Sequence, residues 1–529
     1  MQEHSLKKNF TLQVICNSKN NIMKKLLFSS LLLLSYLAVQ AQQEYTIEGH
    51  VEGVKDGTLV SLFLLDGNVG STVATDSIRN GTFHFKRNAG ESGLDRLSLM
   101  CTRDADFPSM SLSIYAAPNA KIKVTGTNTL IYTWKVDSPV KEQQEYNRFI
   151  DVSRDLWDEF QRLGIKEKGM RSAPEAERKA IRAKKDSISD LISSRELKLM
   201  QELPISTIWM EKLGRLSTSA KYNPKFSYKE ETIALYNRLS DEQKSSIQGQ
   251  EITVNLFPPT VVKEGDDMAD TDLFDLNGKL HHLADFKGNY ILLDFWSSGC
   301  GPCIMALPEM KEIQEQYKDR LTIVSLSSDT KSRWTTASAQ HEMTWQNLSD
   351  LKQSAGLYAK YGVNGIPNYV LISPEGKIMK MWSGYGKGSL KLKMRRYLDA
   401  PKHETSIILQ DNTKIVNYPV VEFTNTDIVE IKQVELTDTA TVLRLKAFYI
   451  PKYWIQVSPN IKLVDEKGTS YTLKRADGIK PGEHFFLPES GEAEFSLLFE
   501  PLSTQTKTFS IIEGQNKNDW QINGVKLTK

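Results

Sequence analysis

The stretch "YILLDFWSSGCGPC", residues 290–303, decides how the fold of this chain is interpreted. Its first half is a run of apolar residues, as expected of a strand that is buried on both faces of a parallel sheet. Two of the four cysteines of the chain, Cys300 and Cys303, stand at its end with a glycine and a proline between them. Asp294 interrupts the apolar run behind them. The stretch therefore predicts a strand that leads into a helix carrying a cysteine pair.

The predicted helix start would make Cys300 reactive. The free N–H groups and the positive dipole end of a helix stabilise a thiolate placed there. Pro302 fits the first helical turn, where the missing N–H of proline removes no hydrogen bond. Cys303 lies one turn inside, shielded and within reach of Cys300. The spacing therefore suits disulfide exchange, in which Cys300 attacks a substrate disulfide and Cys303 resolves the mixed disulfide.

The cysteine pair has three other interpretations. A zinc site needs two more ligands, but the chain has no second CxxC pair, and we interpret His281–His282 as solvent-facing. A static structural disulfide stays open, although so short a loop contributes little entropic stabilisation. A peroxidatic cysteine would need the pattern Pro-x-x-x-Thr-x-x-Cys, which is absent. We predict no metal and no cofactor, and keep thiol peroxidase as an alternative function.

Residues 260–400, about a quarter of the chain, resemble thioredoxin and, more closely, its extracytoplasmic TlpA/ResA-like relatives. A second motif, "GVNGIPNYVLISPEGK", resembles the cis-proline loop of the family at Pro367 and is followed by its closing hairpin. The resemblance implies a thioredoxin-like α/β domain and thiol–disulfide oxidoreductase activity. The residues that match the first motif are Asp294, Phe295, Trp296, Cys300, Gly301, Pro302, Cys303 and Pro308.

The resemblance also implies roles for the matched residues. Asp294 would be buried behind Cys303, where desolvation raises the pKa of its carboxyl group and lets it accept the proton of the resolving thiol. Pro367, in a cis peptide bond, would expose the backbone of Ile366 for pairing with a substrate peptide. Trp296 would either cover the flank of the site or pack as a core aromatic residue. The predicted substrate-docking residues are Pro367, Ile366, Trp296, Gly301 and Pro302.

Two positions depart from the pattern of the family. Thioredoxin relatives usually carry tryptophan directly before the first cysteine, where this chain has Gly299, which leaves the substrate preference open. Many TlpA/ResA-like proteins place a glutamate three residues after the second cysteine, where this chain has Ala306. The Gly-Pro dipeptide between the cysteines resembles the reducing end of the family, near the thioredoxin potential of roughly −270 mV. We therefore predict a disulfide reductase or isomerase.

The rest of the 529-residue chain predicts a multidomain α+β protein. Short strands with alternating apolar residues precede the cysteine pair, and hairpin signals stand at Asp56–Gly57 and Asn80–Gly81. Cys101 lies in such a strand, and we interpret it as a buried small apolar residue. The predicted parts are an N-terminal extension with a signal peptide (1–41), an N-terminal β domain (42–137), a helical linker region (138–256), the thioredoxin-like domain (257–400) and a C-terminal antiparallel β-sandwich (401–529).

The N-terminus predicts export to the periplasm or another extracytoplasmic compartment. A basic start at Met23, an apolar run over 26–39 and small residues ending at Ala41 are typical of a secretory signal cleaved after Ala41. Met1 and Met23 both stay open as the start of translation. The apolar run is shorter than the roughly 20 residues that span a bilayer, so we predict no permanent membrane anchor.

The expected partners are protein or peptide disulfides and a membrane-embedded thiol donor. The net charge of +2 creates no field that would favour nucleic acid. The alternative from another class is a scaffold protein whose thioredoxin-like unit only docks partners.

Overall fold

The computed structural model describes residues 44–528 except 68, 91, 102–105, 171, 400–402 and 515–518. The predicted signal peptide and its cleavage site after Ala41 lie outside the described residues. Within the described part of the chain, no helix combines the length and the apolar character that crossing a membrane requires.

Two four-stranded sheets make up the N-terminal β region. Their strand orders are β4-β1-β7-β8 and β3-β2-β5-β6, with β1 parallel to β7. Alternating residues of β1, such as Tyr45 and Ile47, point into the core between the sheets, as the period of two predicts. The strands are β1 (Glu44–Val51), β2 (Leu59–Asp66), β3 (Val69–Ser77), β4 (Thr82–Asn88), β5 (Asp95–Met100), β6 (Leu112–Ala116), β7 (Lys121–Gly126) and β8 (Lys135–Asp137).

The hairpin signals in this region were only partly right. Asn80 and Gly81 both have positive φ values, 50° and 72°, and form the expected tight turn between bridged Arg79 and Thr82. The strands on either side of this turn, β3 and β4, nevertheless belong to different sheets. Asp56–Gly57 likewise connects β1 to β2 across the two sheets, so the prediction of a hairpin there was wrong. These turns reverse the chain direction, while burial of the apolar faces decides which strands pair.

Helices follow the two sheets and share their core. Buried side chains from the helices, including Phe149, Trp209 and Leu213, belong to the same apolar cluster as Ile47 and Leu97 of the strands. The boundary near residue 137 therefore separates two kinds of secondary structure and not two cores. The helices are α1 (Lys141–Asp151), α2 (Arg154–Gly169), α3 (Glu175–Glu202), α4 (Thr207–Tyr222), α5 (Lys229–Tyr236), α6 (Asp241–Ser245) and α7 (Ile247–Leu256).

A five-stranded sheet in the order β13-β12-β11-β14-β15 forms the next unit. The central strand β11 runs parallel to β12 and antiparallel to β14, and apolar clusters cover both faces of the sheet. This is the predicted thioredoxin-like α/β arrangement. Its elements are β9 (Leu273–Phe274), β10 (Leu280–His281), β11 (Tyr290–Trp296), α8 (Gly301–Tyr317), β12 (Leu321–Ser327), α9 (Lys331–Gln340), β13 (Gln346–Leu348), α10 (Leu357–Lys360), β14 (Asn368–Ile372), β15 (Ile378–Ser383) and α11 (Ser389–Met394).

The C-terminal part is a large antiparallel sheet. Ten strands are hydrogen-bonded in the order β16-β17-β19-β20-β25-β23-β22-β26-β27-β18, and strands from both halves contribute to one apolar core. The predicted sandwich is therefore one sheet folded over on itself. The strands are β16 (Ser406–Gln410), β17 (Thr413–Asn417), β18 (Val421–Thr424), β19 (Val429–Leu436), β20 (Thr441–Phe448), β21 (Trp454–Ile455), β22 (Lys462–Asp465), β23 (Ser470–Asp477), β24 (Phe485–Phe486), β25 (Glu492–Phe499), β26 (Thr508–Ile512) and β27 (Gln521–Lys526).

Candidate active site

The cysteine pair lies where the central strand β11 passes into helix α8. Cys300 is the N-cap residue of α8, and the backbone N–H of Cys303 donates a hydrogen bond to its sulfur over 3.2 Å. The two cysteines form a disulfide, so the structure describes the oxidised protein. Pro302 stands in the first turn of the helix, as predicted. Backbone N–H donation and the helix dipole both act on the Cys300 sulfur, and both favour a thiolate there after reduction.

The two cysteines differ in exposure. Cys300 is half-buried, whereas only 2% of Cys303 is exposed. Gly301 and Pro302, which lie between them, are exposed to solvent. A substrate disulfide approaching from solvent therefore meets Cys300 first, with Gly301 and Pro302 beside it.

Asp294 is buried on the face of β11 that α8 covers. Side chains alternate along a strand, so Asp294 shares this face with Leu292, which packs against α8, and with Trp296, which packs against Cys303. Only 2% of Asp294 is exposed. Desolvation raises the pKa of its carboxyl group to about 7, although a hydrogen bond from Ser325 acts in the opposite direction. A carboxyl group with this pKa can exchange a proton near neutral pH.

The hydrogen bond to Asp294 comes from a short chain of side chains. The hydroxyl group of Ser325 donates to Oδ2 of Asp294 over 2.7 Å, and the indole N–H of Trp345 donates to the Ser325 oxygen over 2.8 Å. Ser325 faces Asp294 because β11 and β12 pair in a register that sets these two residues side by side. The sequence analysis missed both partners, since neither belongs to a motif and only the sheet register brings them to the carboxyl group.

The loop that precedes β14 lies next to the cysteine pair. The Ile366–Pro367 peptide bond is cis, the conformation that the resemblance implied. Ile366 packs against the buried cluster that contains Cys303, and Cys300 packs against the same cluster. Within the described residues, no hydrogen bond occupies the backbone N–H or C=O of Ile366. The structure thus brings Ile366 to the cysteine cluster with its backbone groups available for pairing.

Trp296 occupies the core below the cysteine pair. Its side chain is fully buried and packs with Cys303, Trp334 and Ala337. Of the two roles predicted for this residue, full burial fits the core role. Trp296 therefore lies beneath the cysteine pair as part of the core.

A carboxylate that the sequence analysis missed holds the loop before Cys300. Asp329 accepts hydrogen bonds from the backbone N–H of Ser298 over 2.7 Å and from its hydroxyl group over 3.2 Å. Asp329 follows β12, the parallel neighbour of β11, and the carboxyl ends of parallel strands meet at one edge of a sheet. The run "SLSSD", residues 325–329 at the end of β12, was the sequence signal for this contact.

A central strand leading into a CxxC helix, a buried carboxyl group behind it and a cis-proline loop beside it define a thioredoxin-like redox site. Residues 265–381 match the model of the AhpC/TSA family. The chain is similar to thioredoxin-like protein YneN of Bacillus subtilis, with 31% identity over 23% of this chain and 73% of that protein. It is also similar to thiol-disulfide oxidoreductase ResA of Geobacillus thermodenitrificans, with 32% identity over 26% of this chain and 79% of that protein.

Solved structures match the same part of the chain. The thioredoxin domain of a thiol-disulfide oxidoreductase from Bacteroides vulgatus has 27% identity and a TM-score of 0.24, over 25% of this chain and 96% of that domain. A thiol:disulfide interchange protein from Bacteroides sp. has 26% identity and a TM-score of 0.25, over 27% of this chain and 94% of that protein. On the strength of the two sequence relatives, the chain belongs to the thioredoxin-like thiol–disulfide oxidoreductases. It is therefore an enzyme of this class.

Proposed function

We propose that this protein is an exported disulfide reductase or isomerase that acts on protein disulfides through Cys300 and Cys303. The observation that carries the proposal is the asymmetry of the cysteine pair. Cys300 is half-buried at a helix start, and its sulfur accepts a hydrogen bond from the backbone N–H of Cys303. The Cys303 side chain is buried behind it. This arrangement suits one attacking thiol and one resolving thiol.

The first step of the proposed reaction starts from the reduced enzyme. The Cys300 thiolate attacks one sulfur of the substrate disulfide, so that a mixed disulfide forms and the other substrate sulfur leaves as a thiolate. The backbone of Ile366 pairs with the substrate chain during this step, and Pro367 in its cis peptide bond holds that backbone in place.

The second step releases the substrate. The carboxylate of Asp294 accepts the Cys303 proton directly or through water, and the resulting thiolate attacks the Cys300 sulfur. The bond between Cys300 and the substrate breaks, the second substrate thiol is released, and the enzyme is left with the Cys300–Cys303 disulfide. Two electrons have passed to the substrate. A thiol donor must restore them, and we propose a membrane-embedded one, because the predicted signal sequence places the enzyme outside the cytosol.

We propose the same division of the chain into five parts that the sequence predicts. We propose that the N-terminal and C-terminal β parts, 42–137 and 401–529, position partner proteins around the thioredoxin-like domain at 257–400. The helical part, 138–256, shares its core with the N-terminal sheets and thereby moves with them. Cleavage after Ala41 is checked by N-terminal sequencing of the protein recovered from its compartment.

An insulin-reduction assay tests the reaction. The wild-type protein, reduced beforehand by dithiothreitol, is expected to reduce insulin disulfides, and Cys300→Ser is expected to abolish this activity. Cys101→Ser serves as the matched control, because Cys101 is buried in the N-terminal core and away from the pair. A wild-type protein that reduces no disulfide, and whose cysteines never cycle, would leave the scaffold alternative. Peroxide consumption that depends on Cys300 would favour the peroxidase alternative.

The substrates can be captured with a second variant. Cys303→Ser lacks the resolving thiol, so mixed disulfides with Cys300 should accumulate and can be identified by mass spectrometry. The same experiment with Cys300→Ser should trap far less, because Cys303 is buried. Equal trapping by both variants would contradict the assignment of the attacking thiol.

A further inference from the structure

A hairpin of the N-terminal β region reaches the active site. Strands β2 and β3 form this hairpin, and Val69 at the start of β3 lies against Gly299, the residue directly before Cys300. A Cβ atom on residue 299 would lie 2.9 Å and 3.0 Å from the two γ-methyl carbons of Val69, which is closer than real Cβ atoms approach. A side chain at position 299 would therefore have to displace Val69.

Two hydrogen bonds attach the same hairpin beside the cysteine loop. The hydroxyl group of Thr330 donates to Oδ2 of Asp66 over 3.0 Å, and the guanidinium group of Arg333 donates to the Ser71 oxygen over 3.1 Å. Asp66 and Ser71, the two hairpin residues in these bonds, lie before and after Val69 in the chain. The position of Val69 is thus determined by contacts as well as by packing.

Thr330, which binds the hairpin, is also connected to the loop before Cys300. Thr330 follows Asp329 directly, and Asp329 accepts two hydrogen bonds from Ser298. The hairpin, the start of α9 and the loop before Cys300 are therefore linked through consecutive contacts. Val69 is half-buried in this position, so part of its apolar surface stays accessible beside Gly299, the residue directly before Cys300.

We propose that Val69 is a specificity-determining residue of the active site, a proposal that rests on the proposed disulfide exchange at Cys300. Val69 supplies an apolar surface next to Cys300 from a distant part of the chain, where Gly299 itself carries no side chain. Ile366 packs against the cluster that contains Cys303. A substrate chain paired with Ile366 would then place the side chain next to its cysteine against Val69. The enzyme should therefore prefer peptide disulfides with an apolar residue beside the cysteine.

The test compares two substrates in the full-length protein. One is a peptide disulfide with leucine next to the attacked cysteine, and the other is oxidised glutathione, which has no apolar side chain there. Val69→Ala is expected to lower kcat/KM for the peptide about 3- to 10-fold, mainly through KM, and to change kcat/KM for glutathione less than about 2-fold. Val420→Ala is the matched control, since Val420 is an exposed valine in the C-terminal part. This variant should change neither value.

A second variant changes Gly299, the other residue of the contact with Val69. Gly299→Ala places a methyl group against Val69 and is expected to displace the hairpin, so that selectivity for the peptide falls as in Val69→Ala. The double variant should show no further loss, because the two single changes act on one contact. The redox equilibrium of the Cys300–Cys303 pair with glutathione should stay unchanged in Val69→Ala.

The outcomes separate this proposal from the proposed function. A wild-type protein that reduces neither substrate would overturn both. An active wild-type protein whose Val69→Ala variant loses activity equally on the two substrates would overturn the specificity role alone and leave Val69 a structural residue. An unchanged kcat/KM for both substrates would also overturn it, because the hairpin would then not meet the substrate.

Discussion

Two buried carboxyl groups in different regions of this molecule have different surroundings. Asp294, in the central strand of the thioredoxin-like sheet, accepts one hydrogen bond from the hydroxyl group of Ser325. Glu513, in the C-terminal sheet region, accepts two backbone N–H groups, from Ser458 over 2.8 Å and from Trp520 over 2.9 Å. Burial raises the pKa of both carboxyl groups, and the two N–H donors counteract that effect at Glu513.

The difference distinguishes a carboxyl group suited to proton transfer from one that supports the fold. Two backbone donors compensate part of the cost of burying an ionised Glu513, and they tie two chain segments together. Asp294 has a single neutral donor, so its pKa of about 7 lies where protons are exchanged near neutral pH. Burial with few donors is therefore the feature that supports the proposed proton-transfer role of Asp294.

The largest expected effect concerns stability and pH. The pKa of Asp294 is raised from 3.8 to about 7 on folding, so the folded state holds a proton that the unfolded chain releases between these values. Below about pH 4 the raised pKa therefore costs no stability. The free energy of unfolding falls as the pH rises from 4 to 7, and at higher pH it stays about 4 kcal/mol lower. In Asp294→Asn, which cannot titrate, this fall should disappear.

Native-state hydrogen exchange of the β11 amides in the oxidised protein measures this effect at pH 5, 6 and 8. The gain in protection of Asp294→Asn over wild type should grow across this range. A gain that is the same at all three values would contradict the raised pKa. Glu513→Gln, measured alongside, should leave the protection of β11 unaltered.

The next effect concerns catalysis. If Asp294 accepts the proton of Cys303, Asp294→Asn should slow resolution of the mixed disulfide roughly 100-fold at pH 7, at the low end of what a positioned base contributes. Stopped-flow measurement of substrate release from a preformed mixed disulfide follows this step. A loss below about 2-fold would show that water takes the proton without help from Asp294.

A smaller effect is expected from the donor to Asp294. Ser325→Ala removes the one hydrogen bond that favours the ionised carboxylate, so the pKa of Asp294 should rise further, by about one pH unit. The pH profile of mixed-disulfide resolution should shift upward by the same amount, while the rate at high pH stays close to that of wild type. An unshifted profile would remove Ser325 from the proposed proton path.

Removal of the indole donor should have a weaker effect in the same direction. Trp345→Phe deletes the N–H that bonds to the Ser325 oxygen and leaves the aromatic packing largely in place. The pH profile should shift upward by less than in Ser325→Ala, because Trp345 acts on Asp294 only through Ser325. A larger shift than in Ser325→Ala would indicate a direct effect of Trp345.

The smallest effect is expected at the other carboxyl group. Glu513→Gln keeps one acceptor oxygen and a similar shape, so insulin reduction should stay within about 2-fold of wild type. The local cost should be about 1 kcal/mol, the typical net value of one hydrogen bond. Loss of activity with an intact C-terminal fold would contradict a purely structural role for Glu513 and would assign the C-terminal sheet a role in the reaction.

The local features of the site could be predicted because neighbouring residues create them. A strand pattern followed by CGPC and apolar helix residues specifies where Cys300 and Cys303 stand, since the helix start is built from that segment alone. The Ile-Pro sequence before β14 likewise carried enough information to predict the cis-proline loop by resemblance. The fold class followed from the same periodic patterns, and the described structure confirms it.

Pairing between distant segments could not be predicted in this way. The turn at Asn80–Gly81 was recognised from its residues, but the strands beside it join different sheets. Ser325 could not be assigned to Asp294, because the pairing register of β11 and β12 sets that contact. Register and sheet membership depend on which apolar faces become buried together, and a single sequence does not show those partners.

By itself the sequence determined the reactive unit: two cysteines spaced by one helical turn, a helix start beneath the first of them and an acid in the strand behind. Only the tertiary structure decided what surrounds that unit. Val69, from a hairpin far away in the chain, packs where a Cβ atom of residue 299 would lie. Asp294 has a raised pKa because folding removes water from it and, among the described residues, brings only Ser325 as a hydrogen-bond donor. Close packing and desolvation exist only in the folded chain, so neither can be read from the order of its residues.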